Sequence, residues 1–148
     1  MQEHTIMVAG FDYHQKELAA LLYDENYDYT LSKSEFLDAF DEDDKVYQYE
    51  VEEYDLHIEA EPTNQYDPNA VKVYADKTFV GYVPRGKFGD LKHLASIPGI
   101  KASVRIFGGK YKYIEYDADA DYLGTLENKY YKVMTDSTPY KAVMVFEW

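Results

Sequence analysis

The residues with the most chemistry to offer lie in one run, Glu61-Pro62-Thr63-Asn64-Gln65-Tyr66-Asp67-Pro68-Asn69. Asn64, Asp67 and Asn69 can each hydrogen-bond to backbone two residues on. Pro62 and Pro68 stop a strand from continuing through the run. The spacing therefore predicts an ordered polar loop with an aromatic ring, Tyr66, at its centre. Ordered loops on a rigid scaffold are common places for binding residues. The same residues also suit a plain Asx turn with a packed tyrosine, so composition alone leaves both readings open.

Catalytic chemistry is thinly represented elsewhere. The chain has no cysteine, so it has neither a thiol nucleophile nor a disulfide framework. His4, His14, His57 and His93 fall in no metal-binding spacing. There is no GxSxG, and Gly109 is followed by Lys110-Tyr111 where a phosphate-binding loop needs Lys and then Ser or Thr. These absences point to a binding protein and not to an enzyme. One acidic stretch invites a calcium reading. Counting Asp24 as position 1, oxygen-bearing residues fall at Asn26, Asp28, Thr30 and Ser32, with Glu35 at position 12. The EF-hand pattern wants glycine at position 6, and Tyr29 stands there. The alternative is an acidic connector whose side chains cap the next helix. A second comb, Asp117, Asp119 and Asp121, places Asn128 at position 12 and is not read as a hand.

Charge separates the chain into parts. The net charge is −13, which on its face disfavours nucleic acid, because phosphates need cations. Residues 1–60 hold 17 acids and 3 bases, residues 61–112 hold 4 acids and 9 bases, and residues 113–148 hold 7 acids and 3 bases. The polar loop opens the basic segment, which predicts a local anion site or a merely solvated strand face. Seventeen tyrosines suit strands, and a minority could serve as stacking platforms. The first residues have no basic start or long apolar run, so no signal peptide is expected, and no stretch reaches the length of a membrane span. A soluble cytoplasmic protein is the plain expectation.

The elements that position the loop follow from periodicity. Strands are expected at Thr5–Ala9, Lys45–Glu59 (with a bulge near Glu52–Tyr54), Ala70–Tyr74, Thr78–Val83, Lys101–Phe107, Lys110–Tyr116 and Tyr140–Trp148. Gly108-Gly109 reads as a tight hairpin between two of them. Helices are expected at His14–Leu22, after Ser32 and Glu35 in a capping box, and at Phe88–Ala95 with Leu91, Leu94 and Ala95 inward. Leu126–Met134 reads as either helix or strand. The length and the 46% apolar content fit one mostly β domain over residues 1–148, with an acidic helical insertion at about residues 15–50.

Three blocks of this sequence resemble the HIRAN domain. They are Glu61-Pro62 with Asn64-x-Tyr66-Asp67-x-Asn69-Ala70-Val71-x-Val73, then Val80-Gly81-Tyr82-Val83-Pro84, and Val8-Ala9-Gly10-Phe11-Asp12-Tyr13 near the start. The resemblance implies an OB-like β-barrel with added short helices, and a module that binds the 3′ end of single-stranded DNA. By motif, it implies that Tyr13 and Tyr66 stack on the terminal base. Asp67 takes the 3′-hydroxyl, Asn64 shapes the loop, Tyr82 belongs to the site, and Arg85 meets phosphate. Two positions depart from a DNA-binding member: Asp12 stands where it has a base, and Tyr82 where it has a histidine. The implied partner is single-stranded DNA, with a helicase or other DNA repair protein acting in trans. The alternative is a protein-interaction module that keeps the fold and has lost DNA binding. A calcium-stabilised loop at Asp24, Asn26, Asp28, Thr30 and Glu35 is compatible with either; otherwise no cofactor is expected.

Overall fold

A computed structural model of the protein describes residues 1–116 and 131–148. Among these, the alternating segments form strands β1 (Glu3–Met7), β2 (Val46–Tyr47), β3 (Glu52–Ala60), β4 (Val71–Ala75), β5 (Thr78–Tyr82), β6 (Lys101–Tyr116) and β7 (Tyr131–Glu147). The 3.6-residue patterns form α1 (Gln15–Ala20), α2 (Lys33–Ala39) and α3 (Phe88–Ala95), with 3-10 turns at Phe11–His14 and Tyr27–Thr30. The chain packs as two compact units, one of residues 1–22, 51–107 and 139–148, the other of residues 23–50 and 108–138.

The first unit carries the polar loop. Its strands follow the order β1-β7-β6-β3-β4-β5. The antiparallel registers set Thr5 opposite Val145, Tyr54 opposite Val104 and Ile58 opposite Val73. The two ends of this order meet, because the backbone N–H of Ala9 donates to the Tyr82 carbonyl and that of Tyr82 to the Ala9 carbonyl, both at 2.8 Å. The sheet therefore curls into a half-barrel, a mostly β fold of OB-like type with short helices. Gly81 makes the closure possible. A Cβ there would lie 2.3 Å from the Ala9 carbonyl oxygen and 2.6 Å from a Val8 methyl, at a φ of +147°. Val8, Val73, Val80, Val104, Ile106, Ala142 and Met144 are fully buried. Leu18 of α1 and Leu91 and Leu94 of α3 are buried with them. Gln15 anchors α1 by donating to the Tyr140 carbonyl at 2.8 Å and accepting from its N–H at 2.7 Å.

The second unit is built around Phe36 of α2, fully buried and clustered with Val46 and Ile114. Tyr29, Leu31, Leu37, Phe40, Tyr131 and Val133 pack on that cluster. Helix α2 starts where Ser32 and Glu35 place it, with both halves of the capping box formed.

Several elements differ from their sequence readings for identifiable reasons. The long strand expected over Lys45–Glu59 is two strands. Between them Gln48 N–H bonds to the Lys110 carbonyl at 2.9 Å, while Glu50 N–H bonds to the Asp24 carbonyl at 2.8 Å, so the pairing partner changes. Val51 is consequently exposed and Glu52 buried. The register shift lies at Val73/Tyr74 in the β4–β5 pair and not near Glu52–Tyr54. Gly108-Gly109 does not turn the chain. Both residues take positive φ, 110° and 88°, inside a continuous β6 that passes from the first unit into the second. Strand β7 begins nine residues before the expected Tyr140. Helix α1 is preceded by a 3-10 turn and ends at Ala20, and Ala95 of α3 is exposed. The comb at Asp117–Asp121 and most of Leu126–Met134 lie outside the described residues.

Candidate nucleic-acid interface

The loop leaves β3 and returns to β4 across a short neck, where Glu61 N–H donates to the Ala70 carbonyl at 2.8 Å. Asn64 organises its interior. The Asn64 Oδ1 accepts from the backbone N–H groups of Tyr66 and Asp67, each at 2.9 Å. The Asn64 Nδ2 donates to Glu61 Oε1 at 2.7 Å. Asp67 Oδ1 accepts from Asn69 N–H at 2.9 Å in a second Asx turn. The backbone N–H groups of Tyr66, Asp67 and Asn69 are thus engaged without strand partners.

Glu61 fastens the loop to the sheet. Its Oε2 lies 2.9 Å from Lys72 Nζ on β4, and its Oε1 accepts from the Tyr82 hydroxyl on β5 at 3.0 Å. The hydrogen bond from Lys72, followed by that from Asn64, holds the Glu61 carboxyl below its ordinary value, and Glu61 in turn raises Lys72. Burial and then the neighbouring carboxylate push the Tyr82 phenol up. Tyr82 is oriented from its other side by an edge-on contact with Phe79, ring centroids 5.4 Å apart.

The result is a cleft of about 250 Å3 whose walls include Ala9, Asn64, Tyr66, Asp67, Tyr82 and Arg85. Tyr66 is 87% exposed on its rim. Asp67 Oδ2 faces Arg85 Nε at 3.6 Å, and an Arg85 Nη lies 3.5 Å from the Tyr66 carbonyl. The Arg85 side chain is 80% exposed, so this loose pair is open to competition from a phosphate. Tyr13, also 87% exposed, sits in the Phe11–His14 turn just beyond Ala9 and does not line the cleft. Asp12 is exposed on the same turn. Thus Asn64, Tyr66, Asp67, Tyr82 and Arg85 share one cleft, and Tyr13 stands apart from it. The roles of Glu61 and Lys72 were not legible in the sequence. The only hint was a glutamate fixed in spacing to Asn64, ahead of a lysine on the following strand.

The acidic stretch of the second unit is held by local hydrogen bonds. Asn26 Oδ1 accepts from Asp28 N–H at 3.1 Å and caps the 3-10 turn, and Thr30 Oγ1 donates to the Tyr27 carbonyl at 2.6 Å. Glu35 Oε1 accepts from Ser32 N–H at 3.2 Å, and the Ser32 hydroxyl, followed by that N–H, lowers the Glu35 pKa. Asp76 is the one non-glycine residue with positive φ among the described residues, so Tyr29 does not make the turn an EF-hand needs at its sixth position. Among the described residues no three His, Cys, Asp or Glu side chains converge as a metal set.

A curled, mostly β sheet with a hydrogen-bonded, aromatic-tipped loop beside its closing bridge is an OB-like half-barrel. The sequence matches the HIRAN domain over residues 9–121, and the chain belongs to that family. HIRAN domains are nucleic-acid-binding modules and not catalytic ones. No curated protein and no solved structure matches the chain. No helix among the described residues is long and apolar enough to cross a membrane.

Proposed function

We propose that the protein binds single-stranded DNA at a free 3′ end. The terminal base stacks on Tyr66, with Tyr13 supplying a second ring from the neighbouring turn. Asp67 Oδ2 accepts the 3′-hydroxyl proton, and Arg85 leaves Asp67 to meet the adjoining phosphate. Asn64, Glu61 and Tyr82 keep the loop in place. The observation that carries this reading is the Asp67–Arg85 pair beside the exposed Tyr66 ring, facing one cleft. A carboxylate at that point accepts a hydroxyl but repels a further phosphate, so the cleft selects a chain end over an internal nucleotide. In this reading the module serves DNA repair in the cytoplasm, with a helicase or other repair protein acting in trans.

Fluorescence anisotropy at low salt tests it, with 5′-labelled strands carrying a free 3′-hydroxyl, the same strands with a 3′-phosphate, and blunt duplexes. Preference for the free single-stranded end is expected. Equal affinity for free and phosphorylated ends overturns end recognition.

A second reading, a protein-interaction module, draws on the acidic unit. Residues 23–50 and 108–138 hold 16 acids and 6 bases. A groove of about 270 Å3 there has Leu37, Phe40, Ile114 and Tyr131 for walls, with Asp38 and Asp41 on its edge. Its three acids, Asp38, Asp41 and Glu42, beside Leu37, Phe40 and Ile114 fit a basic segment of a partner protein with an apolar anchor. Undiminished DNA binding by Asp38→Asn/Asp41→Asn, together with loss of a Lys-rich amphipathic peptide, is the expected pattern. Failure to bind any such peptide contradicts this reading.

A further inference from the structure

A larger cavity of about 690 Å3 adjoins the end-binding cleft, and Asp67, Ala70, Val83 and Arg85 line both. That volume is within the range of about 300–1,000 Å3 typical of ligand clefts. Its walls combine the apolar Pro68, Val83 and Pro84 with the polar Asn69 and Arg85. Phe88, the first residue of α3, also lines it and is 43% exposed, whereas α3 packs through Leu91 and Leu94. Phe88 thus keeps part of its ring open to the cavity, where a base can stack on it. Its surroundings are cationic. Lys92 Nζ lies 5.8 Å from the Phe88 ring centroid, and Lys87 precedes the ring, paired with Asp90 at 3.6 Å. Asp67, on the shared wall, is the one acid among the lining residues. Gly86 leaves the path open, since a Cβ there would meet nothing within 4 Å.

We propose that this cavity is a second nucleotide subsite, in which Phe88 stacks on the base immediately 5′ of the terminal one. The inference rests on the end-binding reading and adds a substrate requirement to it: at least two nucleotides with the penultimate base present. The arrangement is consistent along the strand. The terminal nucleoside occupies the small cleft, the phosphate joining the two nucleosides lies at Arg85, and the next base enters the cavity beyond. Pro68 and Pro84 present apolar surface to a base without hydrogen-bond readout, so the subsite tolerates any base.

The test is a double-mutant cycle read by anisotropy. Ten-nucleotide strands with a free 3′-hydroxyl are compared with strands abasic at the penultimate position, which keep every phosphate. Wild type should lose roughly 5- to 150-fold in affinity with the abasic strand, the range of one base stack. Phe88→Ala should weaken the intact strand by a similar factor and be indifferent to the abasic change. Phe88→Trp should restore both the affinity and the sensitivity. If wild type binds the ends but Phe88→Ala keeps full sensitivity to the abasic position, the subsite is wrong and the end-binding reading stands. Loss in Phe88→Trp as well as in Phe88→Ala assigns Phe88 a structural part and overturns the subsite. If wild type binds no strand, both readings fall.

Discussion

Tyr66 and Tyr13 each keep most of their surface in water, and neither ring is needed to close the sheet. Removing either should therefore leave folding intact. By anisotropy, Tyr66→Ala should weaken strand binding by about 1–3 kcal/mol, the range for one stacked base. Tyr13→Ala, which removes the second ring, should do the same, and an unchanged affinity would remove Tyr13 from the site. Glu61 makes a different prediction, because its work is to hold the loop. Its folded pKa is depressed by Lys72, so the stabilisation is present above the unfolded carboxylate value of about 4.3 and is lost as pH falls through the folded value. The raised Lys72 sets the opposite limit: its share is present below the unfolded lysine value of about 10.4 and is lost as pH rises through the folded one. Thermal melts of Glu61→Gln should therefore lie below wild type at neutral pH and converge with it in acid. Parallel curves down to acid pH would show that the ion pair does not stabilise the fold.

At the scale of elements, closure of the sheet depends on one residue having no side chain. Gly81→Ala places a methyl group against the Ala9 carbonyl and Val8 in a backbone conformation hostile to L-residues. Strain and overpacking together should cost roughly 2–4 kcal/mol in denaturant unfolding. A loss under about 0.5 kcal/mol, the size of an ordinary surface change, would mean that the Ala9–Tyr82 bridge is not a real closure. In the second unit, Ser32→Ala should cost about 1 kcal/mol by removing the cap of α2. Calcium tests the neighbouring loop. With Tyr29 lacking the turn geometry, the thermal midpoint should not move at millimolar calcium, and a chelator-reversible rise would reinstate the hand by mass action. Local signals of this kind were well placed in the sequence. The capping box and the bounds of α3 each depend on residues a few positions apart. Gly108-Gly109 misled because its positive-φ freedom serves equally to turn a hairpin or to carry one strand onward, and only the pairing partners decide which. The break at residues 48–51 was hidden for the same reason, since the alternation says nothing about Asp24 or Lys110 arriving alongside.

At the scale of the whole molecule, an acidic protein is proposed to hold a polyanion. The acids are concentrated in the second unit, while residues 61–112, which carry the loop, hold more bases than acids. Few phosphates are engaged in this account, so affinity should fall only gently with salt. The log–log slope should be about −0.7 to −1.4 for one or two phosphates on a single strand. A slope several times steeper would indicate that more phosphates are held than this site accounts for. The motif spacing pointed to the members of the cleft, but not to the pairing of Arg85 with Asp67 or the cavity beyond it, which are made by the return of β5 beside the loop. That pairing allows the most direct test of end recognition. Asp67→Asn keeps the Asx turn through its remaining carbonyl oxygen, but it can replace the oxygen facing Arg85 with an amide donor. The measurement is the ratio of affinities for free and 3′-phosphorylated strands in wild type and in Asp67→Asn, with circular dichroism confirming that both are folded. The account predicts that wild type favours the free hydroxyl and that the variant loses or reverses this preference. An equal loss of affinity for both ends, with the ratio unchanged, would contradict it.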